Sequence, residues 1–279
     1  MGSTARAATI SPALQEIEAA RAEVVERVVR VINTEEVPQT YYAGVLAFKA
    51  SDETSSPEFL PPSKDQTGLV QWISFASPQI QVPARSFVDV PFSIHVPSDV
   101  ESGSYYAAVT ISNAPSDIVA SNGAIVEAKT ASLILLTVTG ETNRQLGLLD
   151  FTSSIFAARS TTLAGTYQYR VQNQGNVHVS PKGTIRFSDV FGRTLLEVDA
   201  NPLQSRVLPG TTRTYSVEVD ASKALLALGP VRAQLKLTYD DTKVLQQEEE
   251  LWLVSWPIIS GVSVLVLSVL AFVLLKKRT

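Results

Sequence analysis

Runs in which apolar and polar residues alternate, each a few residues long and cut off by Pro, Gly, Ser and Asp clusters, fill most of the 279 residues. A period of two sends successive side chains to opposite faces of a strand, so a chain written this way folds into sheets with one buried face. In Phe92-Ser-Ile-His-Val96 the even positions are apolar and the odd ones polar, which makes one face core. From Ile10 to about Gly140 the pattern predicts strands at 41–49, 70–75, 87–96, 104–112 and 131–138, spaced as in an antiparallel sandwich.

A second set, from about 146 to 251, predicts strands at 147–156, 166–172, 183–189, 194–198, 212–219, 231–239 and 244–252. Turns fall at Asn173–Asn176, Asp189–Gly192, Pro209-Gly210 and Asp240-Asp241, and Ser222–Leu228 reads as one helical turn. Seven short strands in about a hundred residues fit an immunoglobulin-like sandwich. Each set has a strand that ends in Asn, at Asn33 and Asn173, a residue that tolerates the left-handed turn following such strands.

The stretch 13–32 is written two ways. It is rich in helix formers, and its apolar residues at 14, 17, 24, 28 and 31 fit a helical stripe. Val25, Val29, Val31 and Asn33 also fall on one face of a strand, and two strands joined near Ala20–Ala22 are the favoured alternative.

The chain ends in an apolar run, Leu251 to Leu275, with no charge after Glu250. At about 1.5 Å per helical residue, roughly 20 such residues cross a hydrocarbon core of about 30 Å. Trp252 and Trp256 suit one interface, and Lys276, Lys277 and Arg278 suit the cytoplasmic side under the positive-inside rule. The expected layout is all-β: a disordered start with a residual signal-cleavage region (1–9), two tandem immunoglobulin-like β-sandwiches (10–142 and 146–251), a single C-terminal transmembrane helix (252–275) and a basic tail (276–279). The lipid bilayer is then a partner, and the protein is single-pass in the cell membrane, its amino-terminal domains outside and its C-terminus in the cytoplasm. Met1–Ala8 has no apolar core, while Ala5-Arg-Ala7 looks like the end of a cleaved signal peptide. A tail-anchored protein with cytoplasmic domains is the other reading of that start.

Setting aside the three basic residues of the tail, 20 basic residues face 27 acidic ones, a net charge of −7. That argues against nucleic acid as a partner and against tight binding of anionic wall polymers by bulk charge. The absence of Cys excludes disulfides, thiol chemistry and Cys-ligated metal.

Ser11-Pro-Ala13, Asn33 with Pro38, Leu69-Val-Gln-Trp-Ile73, Val82-Pro-Ala-Arg-Ser86, Val96-Pro-Ser-Asp-Val100 and Gly103-Ser-Tyr-Tyr-Ala-Ala108 resemble the amino-terminal domain of the WxL-interacting surface proteins of Gram-positive bacteria. Asn173-Gln-Gly-Asn-Val-His178, Pro181-Lys-Gly183 and Phe191-Gly192 resemble the second sandwich domain of such proteins. The resemblance implies a peptidoglycan-binding, immunoglobulin-like module followed by a second such domain and a membrane helix. The family's usual Pro-Gly turn between the first strands is replaced here by Ala20-Arg-Ala22.

Enzymatic chemistry finds little to work with. His95 alternates with Ile94 and Val96 and faces solvent, and His178 follows a Gly-Asn turn. No Gly-x-Ser-x-Gly elbow, phosphate loop or His-Glu-x-x-His pair occurs. Asp240-Asp241 reads as a turn, and Glu248-Glu-Glu250 as a strand edge kept apart by charge. No cofactor or metal site is expected. Aromatic side chains are better binding candidates, and alternation exposes one of Tyr41/Tyr42 and one of Tyr105/Tyr106. Trp72 reads as core, and the loop 113–129 as a further candidate surface. The expected function is a non-enzymatic, membrane-anchored surface protein that binds cell wall or another surface protein. The alternative is an accessory subunit of a larger membrane-associated assembly, such as secretion or pilus-like machinery.

Overall fold

Alternation becomes sheet almost throughout. The computed structural model describes residues 8–50, 57–61, 67–114, 129–153, 164–219, 229–253, 260–261 and 263–269. The chain divides into two compact units, Met1–Asn143 with Gly175–Val177, and Arg144–Gln174 with His178–Thr279. Each is a two-sheet β-sandwich.

Unit 1 runs through β1 (Thr9–Ser11), β2 (Leu14–Ala19), β3 (Val24–Asn33), β4 (Gln39–Leu46), a small hairpin of β5 (Phe48–Ala50) and β6 (Pro57–Phe59), and the helical turn α1 (Leu69–Trp72). It continues with β7 (Ile73–Phe75), β8 (Gln79–Val82), β9 (Ser86–His95), β10 (Gly103–Ser112) and β11 (Lys129–Val138). Sheet I has the order β1-β3-β9-β7, and sheet II the order β2-β11-β10-β4-β8. Val29, Val31, Phe92 and Ile94 of sheet I meet Val109, Ile111, Ile134 and Leu136 of sheet II in one core, with Leu69 of α1 packed among them.

The helix-forming stretch 13–32 is two strands. Val25, Val29 and Val31 are buried in a period of two, whereas Val24 and Val28, which a helical stripe would bury, are 55% and 46% exposed. Burial on one face of a sheet outweighs local propensity. The turn between β2 and β3 places Ala22 at φ 60, and Glu23 N–H donates to Ala20 O.

Unit 2 runs through β12 (Leu146–Ser153), β13 (Gly165–Asn173), β14 (Lys182–Ser188), β15 (Thr194–Asp199), β16 (Thr212–Val219), β17 (Gly229–Tyr239) and β18 (Lys243–Leu253). Sheet III is β12-β13-β16 and sheet IV is β15-β14-β17-β18. Tyr167, Tyr169, Phe187 and Leu235 are fully buried between them.

In both units the predicted Asn ends its strand as a clamp. Asn33 Nδ2 donates to Val37 O, Val82 O and Pro83 O. Asn173 Nδ2 donates to Val207 O, its N–H to Thr211 O, and its carbonyl accepts from Gly210 N–H. Each buried amide adds a donor to carbonyls of the segment packed beside its strand end, and Val207 O also accepts from Val179 N–H.

The membrane-spanning helix is corrected. Among the described residues no helix is long and apolar enough to cross a membrane. Leu251–Leu253 belong to β18, and Trp252 stands exposed opposite Pro230 in the β17–β18 ladder rather than at a helix start. Trp256, Lys276, Lys277 and Arg278 lie outside the described residues, as do Ser222–Leu228 and most of the loop 113–129. The single-pass location, with its bilayer partner, is withdrawn with the helix.

Candidate interaction surface

Strand parity decides where the candidate tyrosines point. The odd residues of β10 face the core, so Tyr105 lies inward, its ring 4.7 Å from that of Trp72 and its hydroxyl donating to Glu101 O. Trp72 is partly buried against the same core. Tyr41 is buried in it and donates to Asn33 Oδ1 at 3.5 Å. Burial raises the phenols of both Tyr41 and Tyr105, so neither ionises near neutrality. Tyr42 and Tyr106 take the outer face of sheet II, both half-buried.

The middle of that outer face is apolar where a sheet over one core is ordinarily polar, with Ser104 and Thr137 at one end and Thr110 and Ser112 at the other. In register, Tyr106 opposes Leu135, Ala108 opposes Leu133 on one side and Leu46 on the other, and Leu133 opposes Leu14. Ala108 and Leu135 are 0% and 4% exposed although neither belongs to the sandwich core. The β5–β6 hairpin lies over part of this layer: Phe48 is buried with its ring 5.3 Å from Tyr106, and Phe59 follows at 6.4 Å from Phe48 while remaining 42% exposed. Leu14, Leu46 and Leu133 are half-buried. Along the β2 border stand the exposed carboxylates of Glu16 and Glu18, beside Leu135 and Thr137.

The outer face of sheet I is mixed. Exposed Val24, Val28 and Phe87 stand there among Glu26, Arg30, Asp89, Ser93 and His95, with Arg30 in a two-point bond to Asp89 and stacked 4.1 Å over Phe87. Sequence reasoning did not single out Leu14, Leu46, Phe48, Ala108, Leu133 or Leu135. The available signal is Leu133-Ile-Leu-Leu136, apolar at both parities and therefore a strand with two buried faces.

Chemistry other than contact has few supports. Among the described residues no group of three or more His, Asp or Glu could hold a metal. Asp240 and Asp241 occupy the β17–β18 turn at φ 51 and 57. Glu248 and Glu250 face outward against Arg232, whereas Glu249 points inward and accepts from Ser153 N–H and Oγ. The acidic triplet is thus split by parity into an outer ion-paired row and one inward carboxylate.

No family model matches the chain, and no curated protein matches it. Solved structures do. A structure titled as the chaperone–tip adhesin complex of CFA/I fimbriae biogenesis is 13% identical, with a TM-score of 0.44 over 87% of this chain and 98% of that one. The E. coli chaperone DraB is 13% identical, with a TM-score of 0.40 over 89% and 99%. A Salmonella enterica SafA pilin–SafB chaperone complex is 11% identical, with a TM-score of 0.40 over 90% and 98%. Likeness at this level carries no inference about what the chain binds. The expected membership of the WxL-interacting surface proteins is corrected, since no family model matches the chain.

Proposed function

We propose that the chain is a non-enzymatic accessory protein of a surface-assembly system of the secretion or pilus-like kind, which holds a partner polypeptide against the outer face of sheet II. The observation that carries this reading is that the middle of sheet II is apolar on both faces, one closed by the core and the other, among the described residues, covered in part by the β5–β6 hairpin. A contiguous apolar patch bordered by charge marks a protein contact. The acidic border of Glu16 and Glu18 favours a partner segment with basic residues beside its apolar row. Tyr42 and Tyr106 are the proposed contact tyrosines; Tyr41 and Tyr105 serve the core. Both sandwiches are taken as immunoglobulin-like, and the partner is taken to be a protein subunit of such an assembly.

The test is photo-cross-linking in producing cells from a benzoylphenylalanine placed at Phe59 or Leu133. One discrete adduct with a surface subunit, lost when Leu46 and Leu133 are both changed to Ser, is the expected result. Saturable co-sedimentation of the purified chain with protein-free peptidoglycan, without any protein adduct, would sink the proposal in favour of wall binding.

A further inference from the structure

Unit 2 carries a different kind of surface, at the edge of sheet IV. A strand with a neighbour on one side only offers its outer N–H and C=O groups to any extended chain, and folds guard such edges with inward charges and bulges. Among the described residues the edge strands of unit 2 are β12, β16, β18 and β15. β18 turns Gln247 and Glu249 inward, β16 turns in the half-buried Arg213, whose Nη1 donates to Arg206 O, and β12 is bulged between Leu148 and Asp150. β15 has no inward polar residue: Leu196 and Val198 oppose Phe187 and Ile185 and pack on the core. Its one irregularity lies at Leu195, next to the hairpin turn, and leaves 196–199 in regular register.

The two most exposed large apolar side chains among the described residues bracket this strand, Phe191 at 81% and Leu203 at 86%. Both are held in place. The Asp189 carboxylate accepts from the N–H of Phe191, the N–H of Arg193 and Arg193 Nε, which fixes the turn under Phe191. Buried Asn201 donates to Pro181 O and Ser205 O and accepts from Ser205 N–H, which fixes the loop that carries Leu203. A hairpin needs neither residue to be apolar, as the all-acidic tip Asp240-Asp241 in the same unit shows. Rigid, exposed apolar groups cost little ordering when a partner covers them. Six residues of β15 separate the two loops by about 20 Å.

The outward row carries two carboxylates, Glu197 paired with Arg186 Nε at 3.2 Å and Asp199 accepting from Asn201 N–H, beside an open groove of about 340 Å³ that Lys182, Thr184, Asn201 and Gln204 also line. An antiparallel pair of β15 strands from two copies would set these carboxylates against one another, so the row rejects a second copy and favours a basic strand.

We propose that the outer edge of β15 receives an extended segment of a partner protein as an added strand, its apolar ends meeting Phe191 and Leu203 and its basic side chains lying beside Glu197 and Asp199. Main-chain bonds then give affinity and the alternating side chains give selectivity. This goes beyond the reading of sheet II and stands on other residues, so the failure of either leaves the other intact.

The experiment uses the whole chain and a fluorescein-labelled, end-blocked nonapeptide with leucine at both ends and lysine alternating with threonine between them. A counterpart carries glutamate for lysine. Saturable anisotropy with the lysine peptide alone is expected, together with slowed amide exchange at 196–199. The double variant F191S/L203S should bind at least tenfold more weakly with an unchanged Tm, and E197Q/D199N should lose the preference for lysine over glutamate. Absence of binding overturns the proposal. So does wild-type affinity in F191S/L203S, or binding that leaves exchange at 196–199 unchanged.

Discussion

Tyr169 and Tyr215 stand directly opposite in the β13–β16 ladder with their rings 4.7 Å apart and within 4° of parallel. Tyr169 Oη donates to Ala200 O and Tyr215 Oη to Ser205 O, so the stack ties sheet III to the loop after β15. Removing only the hydroxyl in Tyr215→Phe should cost about 1 kcal/mol. Removing the ring in Tyr215→Ala should cost about 3–5 kcal/mol. Urea unfolding checks both, read as midpoint shifts at constant slope.

The clamps formed by Asn33 and Asn173 predict local rather than diffuse losses. Asn173→Ala removes the side-chain bond to Val207 O, which keeps its bond from Val179 N–H, and Asn33→Ala removes those to Val37 O, Val82 O and Pro83 O, at about 1 kcal/mol each. Hydrogen exchange should quicken at 207–211 in the first variant and at 82–86 in the second. A uniform change across the chain would refute the clamp role.

Tyr167 Oη and Glu249 Oε2 are buried without a hydrogen-bond partner among the described residues. Burial, and secondarily the Glu249 charge, push the Tyr167 phenol far up, so it stays protonated. Its hydroxyl therefore costs desolvation and returns no bond, and Tyr167→Phe should raise stability by about 1 kcal/mol. A lower Tm in that variant would mean the hydroxyl is satisfied in solution.

Asp89 supplies a pH test. The hydrogen bond from Arg30 holds its carboxyl below the usual range, against a smaller opposing effect of desolvation. A depressed folded pKa means that the pair's contribution is present above the unfolded value of about 3.9 and disappears as pH falls through the folded one. The carboxyl carbon of Asp89 should titrate below about 3.9 and move up toward that value in Arg30→Met.

Long alternating strands are the part of this fold that a sequence shows most directly. β9 and β17 are predicted nearly to their ends because their rows are clean over ten or eleven residues. β1, β5, β6 and β8 have three or four residues each, too few for a period to register. Parity states that one tyrosine of each adjacent pair points outward, but the pairing of β10 with β11 and β4 selects Tyr106 and Tyr42. The second face of sheet II was hidden for the opposite reason, because a single core already accounts for Leu133–Leu136. The apolar C-terminus misleads through length: a count of apolar residues takes no notice that Leu251 and Leu253 fill the period-two inner row of β18.

The parallel ladder of β2 on β11 sets a clock for synthesis. Leu14 pairs with Leu133, 119 positions later, so β2 leaves the ribosome long before its partner exists. At about 5–20 residues per second that interval is roughly 6–24 s. Throughout it Ile17 and Ala19, which end up in the core, have no sheet to join. Unit 1 closes only when the strand made last reaches one made almost first.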